Sequence, residues 1–345
     1  MINSRTTTTV VLLLSLYVLL PLMVSDYRMF QLTLVVSYAI AILGLNILVG
    51  YTGQISLGHG AFYAIGAYTY AILVDRAGIP YYATVPVAAI ICFGFGVLMG
   101  FPALRLRGHY LALATYGLAL AVPQFLRFHA IEDWTGGVQG LVLNKPEAPF
   151  QLSSVIGLLT ADRWLYYFAL TIAVVLFAAA SNLVRGRIGR ALLAVRDQPV
   201  AAAAMGVNLA RIKTQAFGLS AAYTGVAGAL GAMAVGFVAP DGFTAFLSIT
   251  LFVGVVVGGL ASIQASMIGA LFVQFVPNIA SGISQSAPWA IYGVFLFVFM
   301  YFAPNGVAGL ISAAWNSLAI GRRRPGSLSA LFQSRHPKKE MEERT

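Results

Sequence analysis

About ten apolar stretches, most of them near the ~20 residues needed to cross a ~30 Å hydrocarbon core, follow one another along this chain with polar segments between them. They run from Val10 to Val24, Met29 to Val49, Ala61 to Val74, Tyr81 to Leu104, Tyr110 to Leu126, Trp164 to Val184, Thr214 to Val238, Phe246 to Leu260, Ile263 to Ala280 and Pro288 to Tyr301. Lipid must be the solvent of such a chain. Of its 345 residues 59% are hydrophobic and 9% charged, against about 25% charged in a soluble domain, so polar cover for a water-soluble core is missing. The expected fold class is all-α: a polytopic integral membrane protein with about ten transmembrane helices, some broken by glycine. Disorder, a collagen-like fibre and a disulfide-stapled secreted fold are excluded, and the single Cys92 can close no intrachain bridge.

The net charge of +10 would suggest nucleic acid in a soluble protein. In a membrane chain it encodes orientation instead, because Lys and Arg gather in cytoplasmic loops. Arg185, Arg187, Arg190, Arg196, Arg211 and Lys213 face one acid, Asp197, across 185–213, so this segment belongs in the cytoplasm. Arg105 and Arg107, and the tail after Gly321 with Arg322, Arg323 and Arg324, fall on the same side. The segment 128–163 carries Glu132, Asp133, Glu147 and Asp162 against Lys145 and Arg163, and reads as external. Crossings in this number with both termini inside satisfy all four segments. The chain divides into a transmembrane domain, 1–320, and a basic cytoplasmic tail, 321–345. No A-x-A cleavage site follows the first stretch, which favours an uncleaved helix over a signal peptide.

Catalysis finds little support. Ser56 and His59 could form a Ser/His pair, but such pairs come from separate elements and are recognised by geometry. His59, His109, His129 and His336 are widely spaced, with no ligand-spaced Cys or carboxylate beside them. None of the eleven acids lies within an apolar core; Asp26, Asp75, Asp162 and Asp241 sit at segment ends, which disfavours a proton relay. None of Lys145, Lys213, Lys338 and Lys339 follows a glycine, so the chain has no Walker-type phosphate loop.

Glycine is the unusual element. Gly50, Gly53, Gly58 and Gly60, with Asn46, Gln54, Ser56 and His59, interrupt one pair of apolar stretches, and Gly258 and Gly259 interrupt another in the second half. Paired breaks of this kind point to a transport pathway; two ordinary cytoplasmic turns are the competing reading. Gly225, Gly228 and Gly231, with Ala221 and Ala232, form a small-residue face suited to helix packing. In the cytoplasmic segment Asp197 can cap a short helix, Pro199 suits its first turn, Gly206 stops it, and Asn208 can cap the next. A small, mildly apolar helix between basic flanks suits docking into a partner's groove.

At this point a family resemblance emerges. Gly189-Arg190-Ala191-Leu192-Leu193-Ala194-Val195-Arg196-Asp197 followed by Ala201, Ala202, Ala203, Ala204 and Gly206 resembles the coupling loop of permease subunits of branched-chain amino-acid ABC importers, the LivM type. Leu45 to Tyr51, Ser56 to His59, Leu104 to Gly108, Thr135-Gly136-Gly137, and Pro304 with Gly306 agree in order, over roughly residues 30–310. The resemblance implies a bacterial inner-membrane subunit, not itself an enzyme. It would pair with a second homologous permease, two cytoplasmic ATPase subunits that carry ATP and Mg, and a periplasmic substrate-binding protein. Gly189, Arg190, Arg196, Asp197, Ala201 to Ala204 and Gly206 would couple to the ATPase. Asn46, Gly50, Gly53, Gln54, Ser56, Gly58, His59, Gly258 and Gly259 would belong to the pathway, and Trp134, Thr135, Gly136 and Gly137 would receive the binding protein. Two departures stand out: Pro199 and Ala203 replace acids frequent in the family, and Ala261, Ala265 and Ser266 replace Gly, Gly and Pro. Urea-like amides and aromatic acids are alternative substrates. A stand-alone secondary transporter or channel, and an intramembrane hydrolase, are the rival classes.

Overall fold

A computed structural model describes residues 24–106, 108–147 and 160–281, together with 291, 293, 294, 297, 306, 307 and 309. The apolar stretch from Val10, most of that from Pro288, Arg107, Pro304, His336 and the tail 321–345 lie outside the described residues, as does the proposed boundary at 320.

Helices occupy every expected crossing between Met29 and Ala280. They are α1 (Asp26–Thr52), α2 (His59–Asp75), α3 (Tyr81–Arg105), α4 (His109–Leu126), α6 (Ala161–Arg185), α9 (Leu209–Val235), α10 (Ala245–Gly258) and α11 (Ala265–Ser281). Short helices fill the connections: α5 (Glu132–Thr135), α7 (Arg187–Asp197) and α8 (Pro199–Ala204). Helix is the only open-chain conformation that satisfies its own backbone in hydrocarbon. Among the described residues, extended pairing is confined to β1 (Leu141–Val142) and β2 (Phe237–Val238), antiparallel, with Leu141 opposite Val238.

The core is built around α1 and α9, both almost wholly enclosed, while α3 and α6 keep broad apolar faces outward, with Ile90, Leu98, Val174 and Val175 exposed. An exposed apolar face is at rest in lipid. Helix α9 packs against α1, α2 and α3, and its small-residue face explains how. A Cβ at Gly228 would overlap the Tyr63 carbonyl of α2, and one at Gly66 would overlap the Gly225 backbone. Bare backbone at the crossing lets the axes approach, which is how helices associate where lipid removes most of the hydrophobic drive.

Contacts between segment ends fall into two groups. At one end Asp26 pairs with Arg163 and accepts from Thr160 Oγ1 (3.0 Å), Lys145 pairs with Asp162 (2.7 Å), Arg127 pairs with Asp241, and β1 meets β2. At the other, Arg196 reaches Gly50 (2.8 Å) and Asn46 reaches Ser262 (2.9 Å). Each contact joins ends that the loop charges assign to a single side. The four acids expected at segment ends are at helix ends or in the 3₁₀ turn Pro240–Phe243.

The breaks shorten the helices beside them. At 1.5 Å per residue, the 14 residues of α10 span only about 21 Å, less than the ~30 Å hydrocarbon core. Between α1 and α2 the non-helical residues Gln54 and Ser56 are buried. The second break is less enclosed: Ala261, Ser262 and Ile263 are half-buried, and Leu260 and Gln264 are exposed.

Candidate coupling face and translocation elements

The arginine-rich segment 185–213 begins with two consecutive helices. Helix α7 leaves α6 almost without a linker, because a Cβ at Gly189 would strike the Val184 carbonyl. Gly189, Leu192 and Val195 recur every three residues and are buried, whereas Arg187, Arg190 and Ala194 are exposed. This amphipathic helix stands where the sequence suggested only a loop. Helix α8 follows with Pro199 in its first turn. Its N-cap position belongs to Gln198, correcting the expectation for Asp197: that residue ends α7, and its carboxylate accepts from Arg196 Nε at 2.8 Å. Ala202 is buried, while Ala201, Ala203 and Ala204 are exposed beside Val200 and Met205, both more than 80% accessible. Gly206 stops the helix at φ +84, a left-handed conformation that glycine adopts without steric cost. Asn208 Oδ1 then accepts from Arg211 N (3.0 Å) and caps α9, as the sequence indicates.

From this face a hydrogen-bonded path enters the membrane. The Arg196 guanidinium donates to the Gly50 carbonyl at 2.8 Å, and its stem lies against Gly53, the left-handed C-cap of α1. One turn earlier, the fully buried Asn46 holds the second glycine break. Its Nδ2 donates to the carbonyls of Ser262 (2.9 Å) and Gly259 (3.3 Å), and its Oδ1 accepts from Ala261 N (2.9 Å). Gly306 packs on Gly258 and Gly259, where a Cβ would clash. The structure thus joins Arg196, Gly50, Gly53, Asn46, Gly258 and Gly259. Ala261, which stands where the resembling family has glycine, takes φ +57, a left-handed conformation unusual for a side-chain-bearing residue. The Asn46 amide satisfies its backbone there.

Ser56 and His59 belong to a second network. Ser220 Oγ donates to the Gly44 carbonyl (2.6 Å), so His59 Nε2–H must donate to Ser220 Oγ (2.6 Å) and His59 Nδ1 accepts from Ser56 Oγ (3.0 Å). Ser56 Oγ in turn accepts from Gly58 N at 3.3 Å. All three side chains are fully buried, and no carboxylate orients the imidazole. A Cβ at Gly58 would meet the Thr115 carbonyl. This arrangement locks α1, α2 and α9 together and offers no exposed nucleophile. Gln54 reaches Thr52 Oγ1 (3.0 Å) and the Lys213 carbonyl (3.5 Å), tying the first break to the base of α9.

At the opposite end, Trp134 is exposed, whereas Thr135 is buried and donates to the Leu126 carbonyl at 2.9 Å. Gly136 and Gly137 both have positive φ. Trp134 is therefore free to meet a partner, and the three residues after it form its scaffold. Nearby, the hydrogen bond from His129 to Glu132 (2.8 Å), with the carboxylate's charge, holds the imidazole above its ordinary range. Among the described residues no three His, Cys, Asp or Glu side chains converge as a metal site would require.

A family model described as "Branched-chain amino acid transport system / permease component" matches residues 28–304. The chain belongs to this permease family. The high-affinity branched-chain amino acid transport system permease protein LivM of Escherichia coli K12 is 35% identical over 315 residues, covering 86% of this chain and 73% of that protein. BraD of Pseudomonas aeruginosa, named as a permease protein of the same kind of system, is 25% identical over 286 residues, 79% of this chain and 92% of its own. LivH of Salmonella typhimurium is 25% identical over 294 residues, 80% of this chain and 92% of its own. No solved structure matches the chain.

Several residues that organise this permease were missed in the sequence. Ser220, Ser248 and Thr115 each hold a break: His59 donates to the first, Gly60 N donates to Ser248 Oγ (2.8 Å) and Leu57 N to Thr115 Oγ1 (2.9 Å). Their signal lies in the sequence, since hydroxyls inside apolar stretches need partners as carboxylates do.

Proposed function

We propose that this chain is one of two permease subunits of an ATP-driven importer of branched-chain amino acids in a bacterial inner membrane, with both termini in the cytoplasm. Two ATPase subunits bind ATP and Mg and dock on α7 and α8; a periplasmic binding protein delivers the solute at the Trp134 side. The similarity of the chain to both LivM and LivH, two permease proteins of identically named systems, supports pairing with a second homologous permease.

The observation that carries this reading is the continuous path from Arg196 through Gly50 and Asn46 to the 259–262 turn. A rigid α1 joins its two ends. Movement of α7 and α8 by the ATPase therefore shifts the end of α1 and, through Asn46, the break between α10 and α11. Alternating access follows when ATP biases which side of that break is open. Binding free energy from the ATPase does the work.

The test is retention and drive. Solubilised from membranes that express the whole operon, the chain should keep an ATPase, and liposomes holding the complex and its binding protein should accumulate leucine only with ATP. Chain that never keeps an ATPase yet moves leucine alone contradicts the proposal. Ligand binding to the partner binding protein identifies the substrate; urea-like amides or aromatic acids bound in place of leucine would replace it.

A further inference from the structure

A groove of about 370 Å³ opens between α1, α10 and α11, toward the end of the molecule marked by Asp241. Its wall differs from the lipid-facing surface of α3 and α6. Tyr38, Thr244, Thr250, Gln274 and Asn278 supply polar groups, and no Lys, Arg, Asp or Glu lines it. The Thr250 hydroxyl is buried and, among the described residues, bonds to no protein group, although most threonines along these helices donate to their own backbone, as Thr224 does to Ser220. A buried hydroxyl without a partner is unusual in a folded protein, and this one lines the groove.

Position adds to chemistry. Thr244 and Phe246 bring the first turn of the 14-residue α10 to the groove, so the positive end of that helix faces it. Tyr38, stacked on Tyr63 at 6.1 Å, forms the inner wall. It lies on α1 about 12 Å outward of Asn46, two turns at 1.5 Å per residue. The groove thus descends from the external face to mid-membrane and ends above the clamp on the 259–262 turn. An uncharged wall with hydroxyl and amide groups, one helix N-terminus and apolar Phe246 and Leu247 suits a solute with no net charge. The amino acid of the importer reading is one such solute, with opposite charges at one end and a hydrocarbon side chain at the other.

We propose that this groove is the outer half of the solute route, taking the zwitterion of a small aliphatic amino acid, with Thr250 and Gln274 as polar contacts. The inference rests on the importer reading and places the substrate within it. The second permease closes the open side, and the solute, as it passes toward the clamp, supplies the hydrogen-bond partner that Thr250 lacks.

Cysteine accessibility in the assembled importer tests it, with little background because Cys92 is buried. In whole cells, Thr250→Cys and Gln274→Cys should react with a membrane-impermeant trimethylammonium methanethiosulfonate. Leucine-loaded binding protein should slow that reaction, and full labelling should abolish leucine uptake. Thr250→Val, which keeps shape, should lower uptake at least about tenfold at unchanged membrane level and ATPase retention, the scale of one hydrogen bond to a charged group. Reaction with a lipophilic maleimide alone at both positions, or normal uptake after complete labelling, overturns the groove assignment while leaving the importer standing. Wild-type importer that moves no branched-chain amino acid overturns the importer reading instead.

Discussion

Replacing Asn46 by Ala removes three hydrogen bonds, to Ser262, Gly259 and Ala261. Membrane-buried side-chain hydrogen bonds contribute about 0.6 kcal/mol on average and up to about 1.7. Three of them amount to about 2 kcal/mol. Stranding the Ala261 N–H away from water adds about 1 kcal/mol at the low end of the usual range, and the backbone at φ +57 is already unfavourable for an alanine. The turn therefore loses about 3 kcal/mol of support, roughly a hundredfold in its equilibrium. The clamped turn gives way while α1, enclosed by α9 and α6, stays in place. The assay is leucine uptake per ATP hydrolysed by the complex in proteoliposomes with saturating binding protein. Asn46→Ala should insert at wild-type level, keep its ATPase and hydrolyse ATP, with uptake per ATP at least about tenfold lower, since only part of the hundredfold need reach transport. Wild-type stoichiometry at wild-type protein level would refute the view that Asn46 holds the break.

Ala261→Gly removes the left-handed penalty, so the purified protein should gain about 1 kcal/mol, seen as a higher unfolding temperature in detergent. Gly228→Val should cost at least about 2 kcal/mol by forcing α9 off Tyr63, and size-exclusion chromatography should show loss of monodisperse protein. Asn208→Ala should lower stability by about 1 kcal/mol in the same unfolding measurement, through the lost cap on α9. Glu132 raises the His129 pKa, so their contact is complete below the ordinary imidazole range and is lost as pH rises through the raised value. The His129 NMR titration should accordingly fall toward the ordinary range in Glu132→Gln.

Helix positions were legible in the sequence because lipid enforces one conformation on apolar runs of this length, and the observed ends at Tyr81, Leu126 and Arg185 lie within a few residues of the expected ones. Asn208 and Gly206 were legible as local punctuation for the same reason: a cap needs only its own neighbours. Asp197 is not a cap because α7 runs through it, and the buried positions that mark α7, Gly189, Leu192 and Val195, are only three residues set among arginines. The joining of the two glycine breaks could not be read locally. Asn46 and Ala261 are brought together by the packing of α1 against α11, and nothing within either segment announces the other. Ser56 and His59 do bond to one another, but their geometry depends on Ser220, far along the chain.

The central claim is that force from a separate ATPase enters through Arg196. The direct measurement is ATP hydrolysis and leucine uptake, side by side, in proteoliposomes containing wild-type importer or Arg196→Gln. The account predicts that the variant retains its ATPase and hydrolyses ATP while uptake collapses, because the link to the Gly50 carbonyl is cut. Hydrolysis and uptake that keep their wild-type ratio in Arg196→Gln would contradict it.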